Sequence, residues 1–150
     1  MLVVFRTLDE EEPDMTATLT RPPLTYSSDS LLRFVMRADA TVCAATGLLV
    51  AVAADPLSRL SGLSAASEWI AGAALVCYGA MLYLLAAAPA LRRIGIGVVT
   101  ANLLVAAGTL AVLIAGVLPL TTAGVVMTLA VVLCTLGCAW WQYLGVRRLA

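Results

Sequence analysis

Between Arg93 and Arg147 the chain carries no charged residue. Pro119 divides this stretch into two apolar runs, residues 94–118 and 120–146. A helix needs ~20 residues to cross a hydrocarbon layer of ~30 Å, and both runs exceed that. Two more apolar runs precede them, at residues 31–54 and 68–91. The first of these carries Arg33, Arg37 and Asp39 at its head, which suits a span whose first turns lie among lipid headgroups. Across all 150 residues, 62% are hydrophobic and 12% charged, a balance that excludes an ordinary soluble domain. No ~10-residue segment alternates polar and apolar side chains, so a β-barrel is not expected.

The connections are short. ADPLSRLSGLS, residues 54–64, reads as a loop with one interfacial turn. PALRR, residues 89–93, reads as a tight turn. In the third connection Pro119 ends one helix, and Thr121 or Thr122 caps the next. Short connections make sequential helices antiparallel neighbours. The expected fold is therefore an all-α membrane protein, an antiparallel up-down-up-down bundle of four transmembrane helices over residues 31–150.

Arginine placement orients that bundle. Arg21, Arg33, Arg37, Arg92, Arg93, Arg147 and Arg148 fall on one side, and Arg59 falls on the other beside Asp55 and Glu68. The positive-inside rule puts both termini in the cytoplasm. Residues 1–30 differ from the rest: the acidic run Asp9 to Asp14 is followed by clustered Pro, Ser and Thr. That composition is expected to be a disordered cytoplasmic leader, and the opening MLVVF is too short for a signal peptide. Translation starting at Met15 or Met36 is an alternative reading of the same segment.

Each run has a face of small or polar residues at heptad spacing. These are Asp39, Cys43, Thr46, Val50 and Ala53 in the first, and Gly72, Val76, Gly79, Tyr83 and Ala86 in the second. The third gives Gly95, Asn102, Ala106, Thr109, Leu113 and Gly116; the fourth gives Gly124, Thr128, Val131, Thr135, Cys138 and Gln142. Lipid tails are as apolar as Leu, so hydrophobicity does not draw such helices together. Small residues let backbones approach, and polar side chains bond across the gap. Gly72, Gly79, Gly95, Thr109, Gly124, Thr128 and Thr135 are the expected packing positions, with crossing angles near +20°.

Three polar residues stand out by depth. Asn102 lies nine residues past Arg93, ~13 Å along a helix, and Gln142 lies five before Arg147, ~8 Å. Asp39 lies two past Arg37. All three belong to the cytoplasmic halves of their helices, where they either act as interhelical glue or converge on a ligand pocket. For Asp39 a structural ion pair with a neighbouring Arg is the plain alternative.

Little else in the sequence points to chemistry. There is no His and no Lys. Cys134 and Cys138 form neither a CxxC motif nor a metal set and read as small buried hydrophobes. Trp69, Trp140, Trp141 and Tyr143 match the aromatic belts of a bilayer. Gly95-x-Gly97 lacks the strand context of a nucleotide loop. No catalytic constellation, metal site or cofactor is expected, and zero net charge gives no footprint for nucleic acid.

The fragments RADATVCAATGLLV, ADPLSRLSGL, APALRRIGIGVVTANLL and QYLGVRR resemble a group of small bacterial integral membrane proteins. The shared order is an Arg-Ala-Asp-Ala start, a Pro-Leu turn, a Pro followed by Arg before an Asn-bearing helix, and a Gln-x-x-Gly-x-Arg end. The resemblance covers about residues 33–148. It implies a four-helix fold in the bacterial inner membrane and no particular activity. Asp39, Asn102 and Gln142 are the matching polar positions, while the acidic leader departs from the compact starts of that group.

Two functions remain open. One is a non-catalytic accessory or scaffold subunit, or a homo-oligomer, working through helix contacts with a partner protein in the lipid bilayer. The other is binding or transport of a small apolar ligand, a lipid or quinone, at a polar pocket near the cytoplasmic leaflet.

Overall fold

The structure, a computed structural model, describes residues 25–149. They form five helices: α1 (Thr25–Val52), α2 (Ala54–Ser61), α3 (Ala65–Leu85), α4 (Leu91–Ala115) and α5 (Thr122–Arg147). Helices α1, α3, α4 and α5 are long and apolar enough to cross a membrane, with mean hydropathies between 1.5 and 2.2. Their outward surface has the same character: Ile114 is 85% exposed, Val52 79% and Leu133 70%. Apolar surface on that scale calls for lipid rather than water. The chain is a multi-pass membrane protein with four candidate spans, all-α and antiparallel as the sequence predicts.

The boundaries differ from the sequence reading in places with physical causes. Helix α1 begins at Thr25, inside the segment read as a leader, and Met36, one of the two alternative starts, lies buried within it; the acidic run and Met15 lie outside the described residues. Residues 54–61, read as loop, form the two-turn helix α2. Pro56 has no N–H to offer the Val52 carbonyl, so the long first helix breaks at Ala53 and α2 starts at Ala54. Asp55 in the first turn and Arg59 in the last match the helix dipole. Helix α4 stops at Ala115 rather than near Pro119, because Gly116 takes the left-handed capping conformation at φ 61°. Thr121 is the cap of α5, its hydroxyl accepting from the Gly124 N–H at 3.0 Å.

Packing is uneven. Helices α1 and α3 form the tightest pair, and α4 and α5 form the second. The α1–α3 seam is built from small residues. A Cβ on Gly72 would stand 2.6 Å from both the Gly47 oxygen and the Ala51 nitrogen, and one on Gly79 would stand 2.6 Å from the Ala40 oxygen. The two backbones are therefore in direct contact. Helices α3 and α4 are joined by the short turn 86–90 yet barely touch, contrary to the expected neighbour packing of every sequential pair. The reason lies in the seam: α3 spends its small face on α1 and has none left for α4.

The two pairs meet at the arginine-rich end. There Leu32, Met36, Leu82, Leu91, Val98 and Val146 form one buried cluster drawn from all four spans. Gly95 makes room for Leu32 and Val146, and the Arg33 guanidinium donates to the Ala86 carbonyl at 2.6 Å. At the opposite end α2 bridges α3 and α5. The glycine after it, Gly62, has φ 87° and packs against the Pro119 carbonyl.

Seam glycines should be far more sensitive than lipid-facing ones. Gly72→Val is expected to cost at least 2 kcal/mol, the scale of an overpacked interior. Gly108→Val, whose added Cβ would meet nothing within 4 Å, is expected to stay within about 0.5 kcal/mol. Melting of both variants in one detergent checks the contrast.

Candidate functional site

Each of the four spans places one hydrogen-bonding side chain at the same level. Tyr78 of α3 donates its hydroxyl to Asn102 Oδ1 of α4 at 2.6 Å. Asn102 Nδ2 donates to Gln142 Oε1 of α5 at 2.9 Å. Gln142 Nε2 donates to Asp39 Oδ2 of α1 at 2.6 Å. One turn along α1, Cys43 Sγ donates to the other carboxyl oxygen of Asp39 at 3.4 Å. The chain runs in one direction, from phenol through two amides to carboxyl. With Asp39 accepting as a carboxylate, turning either amide over would set oxygen against oxygen, so that form of the network admits one arrangement.

These groups are shielded from solvent. Gln142 is fully buried, Asn102 is 4% exposed and Asp39 7%. Asn102 and Gln142 are the sole asparagine and the sole glutamine of the whole sequence. Among the described residues, no buried side-chain nitrogen or oxygen lacks a partner. In a medium without water that is the requirement for leaving polar atoms there at all.

A second polar cluster lies at the opposite end. Ser61 ends α2, and its hydroxyl bonds the buried Glu68 carboxyl in the first turn of α3. The same hydroxyl accepts from the Leu63 N–H at 3.2 Å. The Ser61 carbonyl accepts from the Thr121 N–H at 2.9 Å, and the Thr121 hydroxyl bonds the Leu60 carbonyl. Gly124 lies directly on the Ser61 carbonyl, where a Cβ would collide.

A cavity of about 480 Å³ separates the two clusters. Asp39, Tyr78 and Asn102 line one end, and Ser61 and Glu68 line the other. Val50, Leu75, Val105 and Val131 line the stretch between, together with Thr46, Thr128 and Thr135. From Tyr78 to Glu68 is ten residues of α3, ~15 Å of helix. The volume falls within the ~300–1,000 Å³ of small-molecule sites. The cavity exists because the α1–α3 and α4–α5 pairs diverge between their two points of contact. Exposed Ala74, Val105 and Met127 stand at its rim, on the side where α3 leaves α4 and α5 unpartnered.

The three polar residues singled out by depth thus meet in one network. Asp39 accepts from Gln142 and Cys43, neither of them an arginine, so the expected ion pair is not formed. Gly72 and Gly79 pack on α1, Gly95 on Leu32 and Val146, and Gly124 on Ser61. Thr109 is half-buried and lies apart from the cavity lining. Thr128 and Thr135 line the cavity, but their hydroxyls do not bond across helices. They donate to the carbonyls of Gly124 and Val131 one turn back, at 2.8 and 2.9 Å.

Sequence reasoning missed Tyr78, Ser61 and Glu68. Heptad counting put Tyr83 on the inner face of the second span. Tyr83 is instead 55% exposed, with the Arg37 guanidinium 5.7 Å from its ring centre. The Gly72–Gly79 stripe faces α1, and the adjacent stripe through Leu75 and Tyr78 faces the cavity. At the arginine-rich end, Trp140 and Tyr143 rings lie 5.9 Å apart, with Arg147 5.8 Å from the latter.

No family model, curated protein or solved structure matches the chain. The findings identify a four-helix membrane protein and no family.

The network makes a graded prediction. A double-mutant cycle of Tyr78→Phe with Asn102→Leu should give a coupling of about 0.6 kcal/mol, and not above ~1.7, as for other interhelical bonds in lipid. Gln142→Leu strands a donor on Asn102 and an acceptor on Asp39, and should cost about 2–3 kcal/mol. Detergent melting of the purified variants reads both quantities.

Proposed function

We propose that this protein is a non-catalytic, membrane-embedded binding protein that takes one small, largely apolar molecule into the cavity between its two helix pairs. The observation that carries this reading is the cavity itself: about 480 Å³, mostly apolar along its length, polar at both ends and rimmed on a lipid-facing side. A ligand already dissolved in the bilayer would need no aqueous route to reach it. The polar ends would fix its orientation, as a few placed polar groups do in other apolar sites.

The scaffold reading rested on the small-residue faces. Those faces are consumed inside the monomer, on α1 against α3 and on Gly95 and Gly124. What remains outside is mostly Leu, Ile, Val and aromatic surface of the kind lipid covers, with Gly97, Gly108 and Gly137 open among it. A scaffold also has no use for two buried carboxyl groups beside a void.

Orientation belongs to the same proposal. Arg33, Arg37, Arg92, Arg93, Arg147 and Arg148 mark one end of the bundle and Arg59 the other, which supports cytoplasmic termini in a bacterial inner membrane. A reporter that folds only in the cytoplasm should be active when fused after the last residue and silent when inserted at Gly62.

Native mass spectrometry of the protein released from membranes in mild detergent tests the binding reading. The wild type should carry a bound small molecule, lipid or quinone class included. Thr135→Phe, which fills the cavity without touching the four-residue network, should lose it while keeping its melting temperature within a few degrees. A bare wild-type mass, a stable complex with a second polypeptide in place of a ligand, or equal retention by the variant would overturn the proposal.

A further inference from the structure

Two carboxyl groups line the cavity, Asp39 at one end and Glu68 at the other, and both are nine-tenths buried or more. The lining contains no arginine, and the chain has no lysine or histidine at all. The nearby guanidinium groups are committed elsewhere. Arg33 bonds the Ala86 carbonyl, Arg37 lies by the Tyr83 ring, and Arg59 is exposed on α2. A carboxylate held in a low-dielectric site must take up a proton or meet a positive charge. Among the described residues, both groups receive hydrogen bonds and neither receives a countercharge.

We infer that the ligand of this cavity is a lipophilic organic cation, an elongated apolar body bearing a protonated amine or other positive head. The inference rests on the cavity being a binding site and adds the charge of what enters it. The apolar wall between the two ends accommodates a hydrocarbon or ring body of up to ~15 Å. Either carboxylate receives the charged head, and Tyr78 places an aromatic ring at the Asp39 end, a group that attracts cations. Anionic amphiphiles are excluded by the same two groups. A bare metal ion does not fit, because no group of three metal-binding side chains exists among the described residues, and the Thr128 and Thr135 hydroxyls on the wall are bonded to backbone carbonyls.

A matched pair of probes separates charge from mere apolarity. Decylamine and decanol share a chain length, and the amine is protonated at neutral pH as a lysine side chain is. Both are titrated against detergent-solubilised protein, with melting temperature and native mass spectrometry as readouts. Decylamine should bind at least tenfold more tightly than decanol. Asp39→Asn and Glu68→Gln should each weaken decylamine and leave decanol unchanged, and the two together should remove the preference, weakening decylamine at least tenfold. Glu68→Gln keeps an oxygen for the Ser61 hydroxyl and lies outside the four-residue network, so it carries the test if Asp39→Asn does not fold. Equal binding of the two probes, unchanged in both variants, would overturn the cation inference and leave the cavity reading standing. Binding of neither probe by protein whose cavity accepts neutral lipid or quinone would also overturn the inference alone. Absence of any occupant in all these assays would remove both.

Discussion

Gln142 is fully buried, and the carbonyl and NH2 of its amide must find partners within the protein. Its carbonyl accepts from Asn102 and its NH2 group donates to Asp39, so one side chain joins α4, α5 and α1. Tyr78 extends the chain to α3. In lipid the apolar faces of helices have no reason to prefer one another to the surrounding tails. Directional bonds between single polar residues are therefore what fix the relative height and rotation of the spans. One misplaced turn in any span would strand several buried polar atoms, each at a cost of a few kcal/mol.

The bundle is better described as two tight pairs than as four equivalent neighbours. Backbone contact through Gly47, Gly72 and Gly79 holds α1 to α3, and Arg33 adds a bond to the Ala86 carbonyl at the end of α3. The Tyr78–Asn102–Gln142–Asp39 chain and the Leu32–Val146 cluster then hold one pair to the other at the arginine-rich end. At the far end α2 does the same work through Ser61 and Thr121. With two fixed ends and no small-residue seam between α3 and α4, the pairs cannot close along their middles. The cavity follows from that distribution of small residues.

Much of this was legible in the sequence. Charge-free runs locate four spans because lipid tolerates little else, and the lone amides mark depth because burying them is expensive. The face read on the first span, Asp39 through Val50, does line the cavity. The seam against α3 is the neighbouring stripe Ala40, Ala44, Gly47 and Ala51, which the same periodicity also allows. Periodicity identifies a stripe but does not say which partner it meets, and Tyr83 was assigned inward in place of Tyr78 for that reason. Helix α2 was hidden by its serines and proline, since its stability comes from docking on α3 and α5 rather than from propensity.

Asp39 belongs to both halves of this design. It accepts the last bond of the network, and it stands on the cavity wall. A cation brought next to it draws on the same carboxylate that accepts from Gln142. With the cation removed, that carboxylate is left to Gln142 and Cys43. The contact that joins the two helix pairs is therefore set by the same atom that faces the cavity. Occupancy and pair-to-pair attachment are thermodynamically linked through it, with no need for a moving lid.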